Sequence, residues 1–486
     1  MTLYKNLAQH FINEIQTKQR AIGSRLPPLR TIVLQHQVSM TTAIKAYYYL
    51  QQTGWIFAKP QSGYFVANHL QKPTFPTLSS TRAEKRDPKD FVPHKRYNQT
   101  SEFFSELGTA MIAPILAPNL NLQRCLKRVT KRAVEGLFFY PENRGGQQLR
   151  RALSHHFQKD NLAFFEDDLI ITHGCLDAVK LAIETTTKIG DTIAINSPCY
   201  SGLLDLLTGL SRNIIEIPCH ADSLDLALLE KLMQKRNIQA ALFSTSHINP
   251  TGGNLSVEQK KQLAFLAETY KTPIIEDDVY FELSHHKHTP LPAKLWDKEG
   301  YILWCSSFSK TLAPGLRLGW CLPGRFINQY MSQQSLTDSG VNGLTQSALS
   351  EFLNTGDYRT HLNKLRITLN HQINQYRQLL VKKLPNNATV STPDGGLVLW
   401  IHVPNLDTDR LEKLADECQI DIRSGNRFST ENTYKNCLRI NCGWPIATAV
   451  AETVIEEENH KVRQQIETLC QIINREVSIK TSSNYG

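Results

Sequence analysis

From about residue 165 onward, short apolar runs alternate with helical stretches, and this alternation constrains the fold more than any other feature. The candidate strands cover 169–172, 192–196, 240–244, 273–276 and 302–305, with 319–322 as a further pairing strand. Parallel strands need crossover connections, commonly helices, so the pattern predicts a mostly parallel sheet flanked by helices. Such sheets bind ligands at the carboxyl ends of their strands. The chain has 486 residues, enough for two or three domains with ample core.

Residue types able to carry chemistry fall mainly at those ends. Lys310 closes the run Ser306-Ser307-Phe308-Ser309-Lys310 and is followed by Pro314-Gly315-Leu316-Arg317-Leu318-Gly319. Upstream stand Gly174 before Cys175-Leu176-Asp177, Tyr200, the turn Asn249-Pro250-Thr251-Gly252, and Asp277 with Tyr280. Arg439 follows in Leu438-Arg439-Ile440-Asn441.

These are the parts of a pyridoxal phosphate site. A lysine with lowered pKa can form a Schiff base with an aldehyde, the role expected of Lys310. Asp277 would keep a pyridine nitrogen protonated, while Asn249 and Tyr280 would hydrogen-bond the ring hydroxyl. Ser307, Ser309, Arg317 and the backbone N–H groups after Gly174, at Cys175 and Leu176, would hold the phosphate. Tyr200 could stack on the ring, and Arg439 would grip an amino-acid carboxylate in bidentate fashion.

Each motif alone has an ordinary explanation. An Asp at a strand end caps helices, Asn-Pro-Thr-Gly makes turns, a Tyr fills cores and an Arg pairs with acids. The order of all of them on a β-α pattern carries the reading.

The first 70 residues differ in character. They hold seven Lys/Arg against one acid, Glu14, so six of the net nine positive charges lie there. Such charge can be a solvated surface; concentrated on a small folded unit, it is expected to face phosphate. Leu3, Leu7, Ala8, Phe11, Ile12 and Ile15 recur at helical spacing. After Gly23 and Pro27-Pro28 a short helix fits 29–36. Ser39 is a good N-cap for a third helix, with Ala43, Tyr47 and Leu50 inward, Thr41, Thr42 and Lys45 outward, and Gly54 at its end. Strands at 55–57 and 64–66, joined through Lys59 and Gly63, complete a winged helix-turn-helix. Arg30 sits in a first helical turn, where the dipole disfavours a cation unless phosphate binds there; a solvated Arg is the even alternative.

Residues 68 to about 105 are polar and carry Pro73, Pro76, Pro88 and Pro93, which reads as a tether. Ten scattered cysteines form no Cys-x-x-Cys pair, so buried thiols are expected, with no disulfide framework and no metal site. No apolar run approaches a membrane span and the start lacks a signal-peptide core, so a cytoplasmic location without membrane contact is expected.

The head resembles the GntR-type winged helix in Leu3-Tyr4, Arg25-Leu26-Pro27-Pro28-Leu29-Arg30, Val38-Ser39, Tyr47, Gly54 and Ser62-Gly63-Tyr64-Phe65-Val66. The resemblance implies DNA contacts from Arg30, Ser39, Thr41, Thr42, Lys45, Lys59 and Gly63. Pro28 stands where the family usually has Ser.

The body, from about 105 to 475, resembles fold-type I aminotransferases, with Tyr140-Pro141 ahead of Gly145 as a further match. That implies a homodimer in which Tyr140 reaches the partner's cofactor phosphate. Ser424-Gly425 departs from the more usual Pro-Gly, and Cys175-Leu176 from a small or polar pair.

Together head and body resemble the MocR subgroup of GntR regulators. The expected domains are a head (1–68), a tether (69–105), a large domain (106–345) and a small α+β domain (346–486). The expected function is a pyridoxal phosphate-dependent transcription regulator that senses an amino compound, or the cofactor itself. A working aminotransferase carrying a DNA-binding head is the alternative, since the catalytic residue types are all retained.

Overall fold

A computed structural model describes residues 3–17, 19–21, 23–52, 55–59, 63–66, 75–78, 106–132, 139–220, 222–285, 289–336, 340–446 and 453–483. The chain divides into two compact units, Met1–Thr74 and Phe75–Gly486.

In the first unit, helix α1 (Leu3–Gln16) buries Leu7, Ala8, Phe11, Ile12 and Ile15, as their spacing requires. Helix α2 (Leu29–His36) and helix α3 (Met40–Gln52) close over them with Ile32, Ala43, Tyr47 and Leu50. Ser39 caps α3: the Thr42 amide donates to its Oγ at 3.1 Å. Tyr47 donates its hydroxyl to the Pro27 carbonyl at 2.7 Å, which ties α3 to the turn before α2. Strands β1 (Ile56–Lys59) and β2 (Gly63–Val66) pair antiparallel as the wing. Gly54 and 60–62 lie outside the described residues.

The second unit is built on an eight-stranded sheet. Its strands are β3 (Ile170–Thr172), β4 (Thr192–Ser197), β5 (Asn213–His220), β6 (Ser223–Leu224), β7 (Ala240–Phe243), β8 (Ile274–Asp277), β9 (Ile302–Ser307) and β10 (Gly319–Leu322). Their order is β3-β10-β9-β8-β7-β4-β5-β6, and the run from β9 to β5 is parallel. Strand β5 has no counterpart in the sequence reading, because the acid Glu216 interrupts its apolar run. The two-residue period is visible in β4. Ile193 and Ile195 pack with the helices Cys175–Thr186 and Ser201–Gly209, while Ala194 packs with Leu226–Gln234 and Val257–Tyr270.

A smaller antiparallel sheet comprises β11 (Thr389–Val390), β12 (Val398–His402), β13 (Arg423–Ser424) and β14 (Cys437–Asn441), ordered β11-β12-β14-β13. Leu399, Ile401, Leu438 and Ile440 pack with the helices Asp357–Lys383 and Thr453–Ser483. Trp400, Arg439 and Arg423 are in register and share the other face. Within the expected tether, Phe75 packs on Trp400, Phe428, Tyr434 and Cys437. Residues 69–74 and 79–105 lie outside the described residues.

Candidate functional site

The carboxyl ends of β3, β4, β7, β8 and β9 bring most of the expected cleft residues together. Strand β8 ends at the buried Asp277. Burial pushes its carboxyl above the usual range, opposed by a hydrogen bond from Cys175 and by the charge of Lys310. The Cys175 thiol donates to Asp277 Oδ1 at 3.1 Å, so this side chain serves the acid. Lys310, just beyond β9, donates its Nζ to the Ala110 carbonyl at 2.7 Å and lies 5.7 Å from the Tyr280 ring centre. Burial, then the charge of Arg439, lowers its pKa to about 8; Asp277 opposes this.

Asn249 Nδ2 lies 3.5 Å from the Tyr280 hydroxyl, whose pKa burial pushes up. The buried Asn249 Oδ1 has no partner among the described residues. Tyr200 follows β4, half-buried, and burial raises its hydroxyl pKa also. A Cβ at Gly202 would come within 2.6 Å of the Tyr200 ring, so Gly202 makes room for it.

The helix Cys175–Thr186 opens from Gly174, whose φ of +97° suits glycine. Arg317 donates to the His173 carbonyl at 2.7 Å and lies against Gly174. A Cβ at Gly319 would meet the Gly174 backbone at 2.5 Å, so the strand runs flush under this loop. Leu176 is exposed, Ser307 is buried, and the Ser309 amide donates to Ser307 Oγ at 3.3 Å.

Arg439 is 3% exposed. It donates Nη2 to the Gly108 carbonyl, its Nε has no partner among the described residues, and its Cζ is 5.8 Å from the Phe428 ring centre. Burial and then the charge of Arg423 lower its pKa to about 10. Arg423 pairs with Asp421, and that carboxylate abuts Gly108. Tyr140 is not gathered into this cleft: it is 87% exposed beside the exposed Phe139.

On the head, Thr41 and Lys45 face solvent together with Ile44 and Tyr48, one helical stripe at spacings of three and four. Ser39 and Thr42 bond one another through their hydroxyls at 2.8 Å. Arg30 is exposed at the start of α2, and Gly63, with φ +98°, lies against the Arg25 guanidinium at the wing. The Lys59 side chain lies outside the described residues.

Ile44, Tyr48, Gly202, Arg423 and Phe428 join the expected residues at these sites. The spacing from Thr41 could have signalled the first two. The others depend on packing between segments distant in sequence. Among the described residues no group of three or more His, Cys, Asp or Glu is placed to hold a metal, and no helix is long and apolar enough to cross a membrane.

The fold and cleft define a class: a winged helix-turn-helix head joined to an aminotransferase-type body. Residues 116–451 match the family of class I and II aminotransferases, and residues 3–66 match the gntR family of bacterial regulatory proteins. The HTH-type transcriptional regulator YdcR of Escherichia coli strain K12 is 32% identical over 91% of this chain and 96% of its own length. YjiR of the same strain, also an HTH-type transcriptional regulator, is 31% identical over 93% and 97%. Among solved structures, the multiple substrate aminotransferase of Thermococcus profundus superposes with a TM-score of 0.69 at 22% identity, covering 78% of this chain and 93% of that one. The chain belongs to the MocR type of GntR-family transcription regulators.

Proposed function

We propose that this regulator holds pyridoxal phosphate at Lys310, recognises an amino acid in the same cleft, and passes that occupancy to DNA bound by its head. The observation that carries the reading is the Lys310 amine, held on the Ala110 carbonyl at 2.7 Å and 5.7 Å from the Tyr280 ring centre, with its pKa lowered to about 8 by burial and then by the charge of Arg439, against the opposing charge of Asp277. At that value about a tenth of the amine is neutral at pH 7, where an ordinary lysine has almost none.

The other residues fit the group. Asp277 would pair with the ring nitrogen. Asn249, whose Oδ1 has no partner among the described residues, and Tyr280 suit the ring hydroxyl. The amides of Cys175 and Leu176, with Ser307, Ser309 and Arg317, suit the phosphate, and the missing Cβ atoms of Gly174 and Gly319 keep that loop close to the sheet. When bound, the cofactor supplies an aldehyde that condenses with amines and a ring that withdraws electrons.

Arg439 offers an Nε without a partner among the described residues and an Nη2 held by a neutral carbonyl. A carboxylate makes stronger, charge-assisted bonds with that fork, so it displaces Gly108. Binding alone suffices for sensing. The reading includes a homodimer, for which the exposed Phe139 and Tyr140 provide a surface, with Tyr140 reaching the partner's phosphate. Arg30, Ser39, Thr41, Thr42, Lys45, Lys59 and Gly63 would face DNA.

The test is an absorbance spectrum of the full chain with pyridoxal phosphate, beside Lys310→Ala. A near-visible band present in the parent and missing in the variant is expected. The twenty standard amino acids are then titrated against that band, and Arg439→Lys should weaken the response at least about tenfold while leaving the band intact. Equal spectra for parent and Lys310→Ala would refute the site.

A further inference from the structure

Phe75 stands nine positions after Val66, the last residue of the wing strand β2, and it begins the second unit. It packs into an aromatic seat formed by Trp400, Phe428 and Tyr434, with Cys437 beside them. Trp400 meets Phe428 edge-on at 5.4 Å and Tyr434 edge-on at 6.0 Å. The same seat lies at the amino-acid end of the cleft. Trp400 is directly opposite Arg439 in the β12–β14 register, and the Phe428 ring centre is 5.8 Å from the Arg439 guanidinium.

The main chain under this seat is pinned to the large sheet. Glu216 on β5 is a buried carboxylate satisfied by hydrogen bonds from the Ser197 hydroxyl, the Ser429 hydroxyl and the Thr430 amide. The Phe428 carbonyl accepts from the Cys199 amide at 2.8 Å, and the Tyr434 hydroxyl meets Ser197 Oγ at 3.1 Å. Ser197 and Cys199 belong to the turn that carries Tyr200. These bonds hold the backbone of 428–430 in place.

We infer that Phe75 is the joint through which a carboxylate on Arg439 is felt by the tether of the DNA head. The inference rests on the sensing role proposed above. A carboxylate on Arg439 neutralises the cation that faces Phe428 and draws the guanidinium off the Gly108 carbonyl. The Phe428 and Trp400 rings repack, and Phe75, held by packing against them, tightens or leaves its seat. Eight residues separate it from β2 in the sequence, which makes it the point of the second unit nearest the wing along the chain.

The experiment uses the full chain, Phe75→Ala and Phe75→Leu, with pyridoxal phosphate, each of the twenty standard amino acids, and a DNA duplex selected from a random pool by the parent protein. Amino-acid affinity is read from the absorbance band with and without the duplex. By linkage, the factor by which DNA changes that affinity equals the factor by which the amino acid changes DNA affinity. In the parent this factor should be about fivefold or more, the lower end of ordinary allosteric coupling. Phe75→Ala should bring it to within about twofold of unity, leaving the band and the DNA-free amino-acid affinity near parental values, and Phe75→Leu should keep most of it. A parental factor in Phe75→Ala overturns the joint alone. Loss of the band itself in Phe75→Ala also overturns it, since Phe75 would then be a structural prop. A parent with a band but no coupling overturns the sensing role and the joint with it.

Discussion

The Cys175 thiol donates to Asp277 Oδ1 at 3.1 Å, joining the first turn of a helix to a strand end 102 positions away. A thiol is a weak donor, yet here it faces a buried carboxylate whose pKa burial has already raised. The balance between an ionised and a neutral Asp277 therefore rests partly on this one contact.

Cys175→Ala should lift the Asp277 pKa further, since it removes a hydrogen bond to the charged form. A protonated Asp277 cannot pair with a pyridinium. Cofactor affinity in the variant should then fall off at a higher pH than in the parent. Cys175→Ser keeps a donor and should restore the parental profile. Titration of the absorbance band at a series of pH values checks both.

Lys310→Met should stabilise the cofactor-free protein while abolishing the band. The folded amine sits at about 8 against an ordinary 10.5, so between those values the unfolded chain binds more protons. Stability from this group rises as pH climbs through that window, and the penalty is fully present below pH 8. Removing it should add on the order of 2 kcal/mol at pH 7, with the advantage shrinking toward pH 10, as read from urea midpoints.

Asp278 gives the opposite slope. Burial, then the neighbouring charge of Glu276, raises it to about 7, with Lys260 opposing. The folded state binds more protons than the unfolded state from about pH 4 to 7, so stability falls as pH rises through that range. Asp278→Asn keeps an acceptor for the Trp304 indole, which donates to Asp278 Oδ2 at 3.2 Å. The variant's urea midpoint should vary less with pH between 4.5 and 7 than the parent's.

Lys45→Ala should weaken DNA binding evenly across sequences and lower the log-affinity against log-salt slope by about one, the signature of one lost phosphate contact. Tyr48→Ala, on the same exposed stripe of α3, carries no charge change and should leave the slope intact while altering affinity. Anisotropy at several salt concentrations separates the two.

Strand ends, the glycine before Cys175, the Asp277-x-x-Tyr280 spacing, the Ser39 cap and the α1 periodicity are local signals, because backbone geometry repeats every two or 3.6 residues and turns demand particular residues. Those signals were enough to place Asp277, Tyr280 and Lys310 in one cleft and to predict the winged head. Strand β5 was not legible, since Glu216 looks like a surface acid until Ser429 and Thr430 arrive from more than 200 positions away. The capping of Lys310 by Ala110 and of Arg439 by Gly108 spans 200 and 331 positions. The seat of Phe75 needs β12, β14 and the 425–434 turn assembled first. Only tertiary structure decides such contacts, because they follow from which apolar faces pack together rather than from the periodicity of any one segment.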